Sequence, residues 1–195
     1  MKIGIDARPL QERERSGVGE YTWHLLDAIF KMDRENDYFI FSNAKSLDAV
    51  PLPESGSNVR ARHFRFPNKT LNFYFKFFRA PRIDSLMGEK LDAFILPNLN
   101  FYALSAGIKK ILVVHDLSFA INPEFFSPKS RAWHYFVNAR EMCRAADAIA
   151  AVSENTKRDL IKIFGIPEEK ISVIYPGVAR MVCDKMSLER VREKY

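Results

Sequence analysis

An α/β fold, built on a doubly wound, mostly parallel Rossmann-like sheet with helices on both faces, is predicted by three features of this chain. Segments with strand and helix periodicity alternate from end to end. Several strands are short continuous apolar runs, such as Ile111-Leu112-Val113-Val114 and Ala148-Ile149-Ala150-Ala151-Val152, which suits parallel strands covered on both faces by helical crossovers. A glycine pair stands between the first strand and the first helix, in Ser16-Gly17-Val18-Gly19-Glu20-Tyr21.

The elements follow in order. Lys2-Ile3-Gly4-Ile5-Asp6-Ala7 reads as a strand over 2–7, and the glycine loop leads into a helix over 18–32 with Tyr21, Leu25, Ile29 and Met32 as its expected buried stripe. Strands are expected at 37–42 and 59–66, a helix at 69–79, and strands at 91–96 and 110–115. A helix over 128–145, a strand over 147–152, a helix over 154–164 and a strand over 171–175 complete the pattern. Tyr175-Pro176-Gly177-Val178 then gives way to a helix-like tail from Ser187 to Tyr195. Residues 1–177 therefore read as one domain, and 178–195 either as a linker and the opening of a further unit or as an ordinary C-terminal helix folding back on the domain.

Composition narrows the function. The 195 residues suffice for one substantial core, and 47% apolar with 28% charged residues excludes a disordered chain. Met1-Lys2 leads into a strand rather than a signal peptide, and no apolar run approaches the ~18 residues that span a bilayer. Cys143 and Cys183 stand far apart without neighbouring Cys or paired His. Neither a disulfide framework nor a metal site is expected, and a reducing cytoplasm fits.

The net charge of +6 is unevenly distributed. Arg60, Arg62, Arg65, Lys69, Lys76, Arg79 and Arg82 are interleaved with Phe64, Phe66, Phe73, Tyr74, Phe75, Phe77 and Phe78. Such a stretch suits an anionic membrane surface, single-stranded nucleic acid, or a buried aromatic helix with solvated basic neighbours. Phe73/Phe77 and Tyr74/Phe78 recur at helical spacing, as core residues do. Nucleic acid is disfavoured because its binders carry a larger charge excess along their whole length.

Three predicted strand ends carry chemistry, and ligands of doubly wound sheets bind beyond the carboxyl ends of the strands. The first leads to Gly17 and Gly19, which either turn the chain or let backbone N–H groups of a helix N-terminus approach a phosphate. The dinucleotide fingerprint is excluded by the ten residues between Asp6 and Gly17 and by Thr22 at the third glycine position. A nucleotide-triphosphate loop is excluded because no Gly-Lys-Ser or Gly-Lys-Thr occurs. The second end places His115 and Asp116 side by side after Val114; a histidine tied to local backbone is the ordinary alternative. At the third, Ser153 suits an N-cap with Glu154 in the first turn and Thr156 close behind. Convergence of the three on one edge favours a site.

These segments, in this order, resemble the retaining nucleotide-sugar glycosyltransferases of family 4, also called group 1, which have the GT-B fold. The resemblance rests on Lys2 to Arg8 with Ser16 to Tyr21, on Leu91 to Asn98 with Val114 to Leu117, and on Ala146 to Ile149, Val152 to Leu160 and Ile174 to Val178. It implies that the chain corresponds to the N-terminal, acceptor-side domain, and that 178–195 begin a missing C-terminal domain, in cis or as a separate chain. That domain would hold most donor contacts, including a Glu-x7-Glu motif, so this chain alone is expected to be inactive. The implied reaction moves a sugar from a nucleoside-diphosphate donor to an acceptor glycan or lipid-linked glycan, with no cofactor and no metal. His115 matches the histidine that contacts the donor sugar, with Asp116 as its neighbour and orienter. Gly17, Val18, Gly19 and Tyr21 fall in the phosphate- and acceptor-binding region, and Ser153 and Thr156 line the cleft. Residues 60–82 become a candidate peripheral contact with the inner face of the membrane. A non-catalytic Rossmann-like module for a nucleotide, lipid or partner protein is the alternative.

Overall fold

The computed structural model describes residues 1–11, 16–44 and 51–177. Seven strands form one sheet: β1 Lys2–Asp6, β2 Asp37–Asn43, β3 Val59–Phe64, β4 Ala93–Leu96, β5 Lys109–Val114, β6 Ala148–Ala151 and β7 Ile171–Val173. Their spatial order is β3-β2-β1-β4-β5-β6-β7, and every pairing is parallel. The chain winds outward from β1 through β2 to β3, then returns to lay β4 on the other side of β1. Ile5 consequently lies in register with Ile40 on one side and Ile95 on the other. That reversal of winding leaves a crevice beyond the carboxyl ends of β1 and β4, where neighbouring crossovers diverge.

Helix α1, Gly17–Met32, covers one face of the sheet. Its Leu26 and Phe30 pack with Leu10 against Ile5, Tyr38 and Ile40. The other face carries α2 Asn68–Phe78, α3 Ile83–Met87, α5 Pro128–Val137, α6 Ala139–Ala145 and α7 Glu154–Asp159, with the short α4 Ser118–Ile121 preceding α5. Leu71, Phe75 and Ile83 meet Phe94, Leu112 and Val114 there. Strand alternation sorts the two cores: Tyr38 and Ile40 point to one, Phe39 and Phe41 to the other.

Three expectations are corrected. The buried stripe of α1 is Gly19, Thr22, Leu26 and Phe30, one position on from the expected set, and Met32 is 86% exposed. Thr22 is tolerated inside because its hydroxyl donates to the Val18 carbonyl at 2.7 Å. The expected helix over 128–145 is two helices, because Asn138 adopts the left-handed region at φ 56° and its side chain accepts the Glu141 N–H to start α6. The helical spacing of Phe73/Phe77 and Tyr74/Phe78 does not mark core: all four rings are about half exposed or more, and only Leu71 and Phe75 of α2 are buried. Helices α3 and α4, of five and four residues, are too short to show a period. Cys143 is buried, and desolvation pushes its thiol up to about 12. Cys183 and the expected linker over 178–195 lie outside the described residues.

Glycine is needed at Gly4, where a Cβ would overlap the Phe94 ring and approach Leu91 Cδ1 to 2.6 Å; at Gly17 a Cβ would meet nothing within 4 Å. Gly4→Val should therefore cost about 1–3 kcal/mol through overpacking, whereas Gly17→Ala should leave stability unchanged or raise it by up to about 1 kcal/mol. Urea denaturation of both variants checks this, and equal effects would contradict the packing described.

Candidate functional site at the carboxyl edge of the sheet

The crevice is held from below by a buried ion pair. Asp6, the last residue of β1, is 2% exposed. Arg8 meets it with two nitrogens of its guanidinium: Nε donates to Oδ1 at 2.9 Å and Nη2 to Oδ2 at 2.6 Å. The same Nη2 donates to the Phe101 carbonyl at 2.7 Å, tying the end of β1 to the loop that follows β4. The guanidinium also lies over the rings of Phe41 and Phe75, 5.5 and 5.7 Å from their centroids. Neither Asp6 nor Arg8 was singled out as a functional candidate by sequence reasoning. The available signal was a carboxylate in an apolar strand with an arginine two residues on.

Above this pair stands the tip of α1. Ser16 caps it, its hydroxyl accepting the Gly19 N–H at 3.3 Å and its carbonyl the Glu20 N–H at 2.9 Å. Both glycines thus belong to the first turn of the helix rather than to the loop before it. Gly19 is buried and has its amide capped, whereas Gly17 is exposed. The Gly17 and Val18 amides have no partner among the described residues, and with the positive end of a 16-residue helix behind them they form an anion-seeking surface.

His115 faces this tip from the end of β5. Its ring and that of Tyr21 stand perpendicular, at a centroid distance of 4.9 Å and an interplanar angle of 85°. Its Nε2 lies 2.9 Å from the Pro97 carbonyl. Because a carbonyl only accepts, Nε2 carries the proton in this contact, which in a neutral imidazole makes Nδ1 the acceptor. Burial raises the Tyr21 phenol above its usual range, so that hydroxyl remains a neutral donor and acceptor.

The remaining candidates act behind His115. Thr156 is 4% exposed, and its hydroxyl donates to the His115 carbonyl at 3.0 Å. Ser153 caps α7, accepting the Thr156 N–H at 3.1 Å. These two residues brace the strand end from the sheet side. Asp116 does not orient the imidazole: its Oδ1 accepts the Ser118 N–H at 2.8 Å and the Ser118 hydroxyl at a shorter distance. Pro97 supplies the orienting group instead, which sequence reasoning missed because a backbone carbonyl leaves no residue signature. Gly17, Val18, Tyr21 and His115 thus converge on the crevice. Gly19, Ser153 and Thr156 support it, and Asp116 lies beside it.

A cavity of about 770 Å³ opens at the opposite edge, lined by Met1, Asp84, Glu89, Leu91, Ser105 and Ile108. It surrounds the strand starts and the short α3, whereas ligands of doubly wound sheets bind beyond the carboxyl ends of the strands, so the carboxyl edge is the better candidate site. Among the described residues, no three of His, Cys, Asp and Glu gather as metal ligands.

A helix tip and a strand-end histidine thus meet beside the winding reversal of a Rossmann-like parallel sheet. The chain belongs to glycosyltransferase family 4, which it matches over residues 15–180. It is similar to O-antigen chain mannosyltransferase B of Escherichia coli, with 23% identity over 179 residues covering 88% of this chain and 46% of that protein. Its fold is similar to that of sucrose-phosphate synthase from Thermosynechococcus elongatus, with a TM-score of 0.58 and 11% identity, covering 91% of this chain and 48% of the other. The chain spans about half the length of each. Its architecture is that of the N-terminal half of a GT-B glycosyltransferase.

Removing Arg8 leaves the Asp6 carboxylate buried without its partner. Arg8→Ala should cost about 3–5 kcal/mol, and Asp6→Asn combined with Arg8→Met should recover much of that loss. Equal losses in the single and double variants, measured by urea denaturation, would show that Arg8 acts through packing alone.

Proposed function

We propose that this chain is the acceptor-side domain of a retaining glycosyltransferase, which moves a hexose from a nucleoside diphosphate to an acceptor hydroxyl. The observation that carries the reading is the approach of His115 to Tyr21, which brings a strand-end imidazole against the anion-seeking tip of α1 in a chain of family 4. The rest of the enzyme, in cis or as a second chain, would close over the crevice and supply most of the nucleotide contacts. The chain alone would then be inactive. The mannosyltransferase relative makes a mannose donor the first to assay. An acceptor glycan or lipid-linked glycan, and a place in the cytoplasm, complete the proposal.

The chemistry asks for stabilisation of a departing diphosphate. The Gly17 and Val18 amides are fixed donors that need no reorganisation when the negative charge grows, which is the basis of electrostatic catalysis. His115 would orient the donor sugar. With Nε2 held by Pro97, its Nδ1 is left to accept a hydrogen bond from a sugar hydroxyl. The acceptor oxygen would attack the anomeric carbon on the face from which the diphosphate departs. The carbon–oxygen bond to acceptor forms as the bond to phosphate breaks, and the acceptor proton passes to the leaving phosphate oxygen. No nucleophilic side chain and no metal enter this scheme.

His115→Ala in the full-length protein should lower kcat at least about 100-fold while leaving the fold intact, since it removes an interaction at the reacting centre. A radiolabelled transfer assay with circular dichroism as the folding control measures this. Unchanged turnover would remove His115 from the mechanism, and absence of any transfer with the second half of the enzyme present, in cis or as a partner chain, would favour a non-catalytic binding module.

A further inference from the structure

We infer that α2 and α5 together form a docking surface for an anionic lipid bilayer. Helix α2 turns more large apolar surface outward than inward: Leu71 and Phe75 are buried, whereas Phe73, Tyr74, Phe77 and Phe78 are 52%, 47%, 59% and 62% exposed. These rings pair with each other along the outer face, Phe73 with Phe77 at 4.9 Å and Tyr74 with Phe78 at 5.4 Å between centroids. A helix whose buried side chains are Leu71 and Phe75 gains nothing in water from four outward rings, and that cost is relieved if an apolar phase receives them.

The band continues onto a second element. Lys76 and Phe77 share a groove of about 450 Å³ with Phe119, His134, Tyr135 and Phe136, so the last turn of α2 faces α5 directly. Tyr135 and Phe136 are themselves 79% and 47% exposed. The basic strand residues Arg60 and Arg62 belong to β3 at the sheet edge. The surface is therefore α2 with α5 rather than the whole of 60–82.

Charge selects the occupant. Arg65 to Arg82 contains five Lys or Arg and no Asp or Glu, and Phe125 to Arg140 contains three basic residues and no acidic one. A surface of aromatic rings among cations of one sign is complementary to an interface with apolar depth and a uniformly negative head-group plane. Tyr and Phe occupy that boundary while lysine and arginine stems extend to the phosphates. Among the described residues no helix is long and apolar enough to cross a membrane, so the association proposed is peripheral.

The test is co-sedimentation of the full-length protein with vesicles, which reads nothing of sugar transfer and so can fail independently of the proposed function. Binding to phosphatidylcholine vesicles with about one-third phosphatidylglycerol should exceed binding to pure phosphatidylcholine at least tenfold, and should fall with salt. Phe77→Ser with Phe78→Ser should abolish it, and Lys76→Gln with Arg79→Gln should weaken it about tenfold or more, since each cation near such a surface contributes about fivefold. Tyr135→Ser with Phe136→Ser tests the α5 half with a second variant, and thermal melts followed by circular dichroism confirm that each variant folds. No preference for anionic vesicles would overturn the proposal. So would a concentration-dependent dimer that the Phe77/Phe78 variant dissolves while vesicle binding persists.

Discussion

The buried pair between Asp6 and Arg8 is the contact on which the ligand-facing edge depends. It sits where the winding of the sheet reverses, the one place where adjacent strands send their connections in opposite directions. Such a crevice would otherwise leave the ends of β1 and β4 joined only by their backbone ladder. Arg8 bridges them, with its guanidinium on the carboxylate of one and on the Phe101 carbonyl that follows the other. A lysine in its place could not make both contacts with a planar fork and still lie on the Phe41 and Phe75 rings. Burying two charges costs desolvation that good geometry only offsets, so the pair is better understood as setting the position of the rim than as adding stability.

Support for the histidine follows the same logic. His115 is fixed through its ring by Pro97, through its carbonyl by Thr156, and by the perpendicular ring of Tyr21. These three contacts come from the end of β4, the start of α7 and the tip of α1, so one side chain reports on the placement of three elements. A group locked in this way needs no further ordering when a ligand arrives, which lowers the entropic cost of binding and of reaction.

Much of the fold was legible in the sequence because buried parallel strands are written as apolar runs, as in β2, β4, β5 and β6, whereas the edge strand β3, VRARHF, is largely exposed and carries no such run. What escaped was local. Asn138 breaks a periodic segment without interrupting its period, since a single left-handed residue caps one helix and opens the next. The stripe of α1 was displaced because Gly19 and Thr22 face the sheet, and a hydrophobicity pattern passes over a glycine and a threonine. In α2 the pattern misled in the opposite sense, since rings at helical spacing face outward. Periodicity shows that residues share a face, not which phase that face meets. Within the site, His115 was legible as a strand-end imidazole. The roles of Pro97 and Arg8 were not, because one acts through its backbone and the other through a contact 93 residues away in the chain.

The proposed site holds a nucleotide-sugar donor between the tip of α1 and His115. A crystal structure of the full-length protein with an intact nucleoside-diphosphate sugar tests it most directly. The account predicts diphosphate oxygens on the Gly17 and Val18 amides and the sugar within hydrogen-bond reach of His115. A donor bound away from both, with the crevice between β1 and β4 empty, would contradict it.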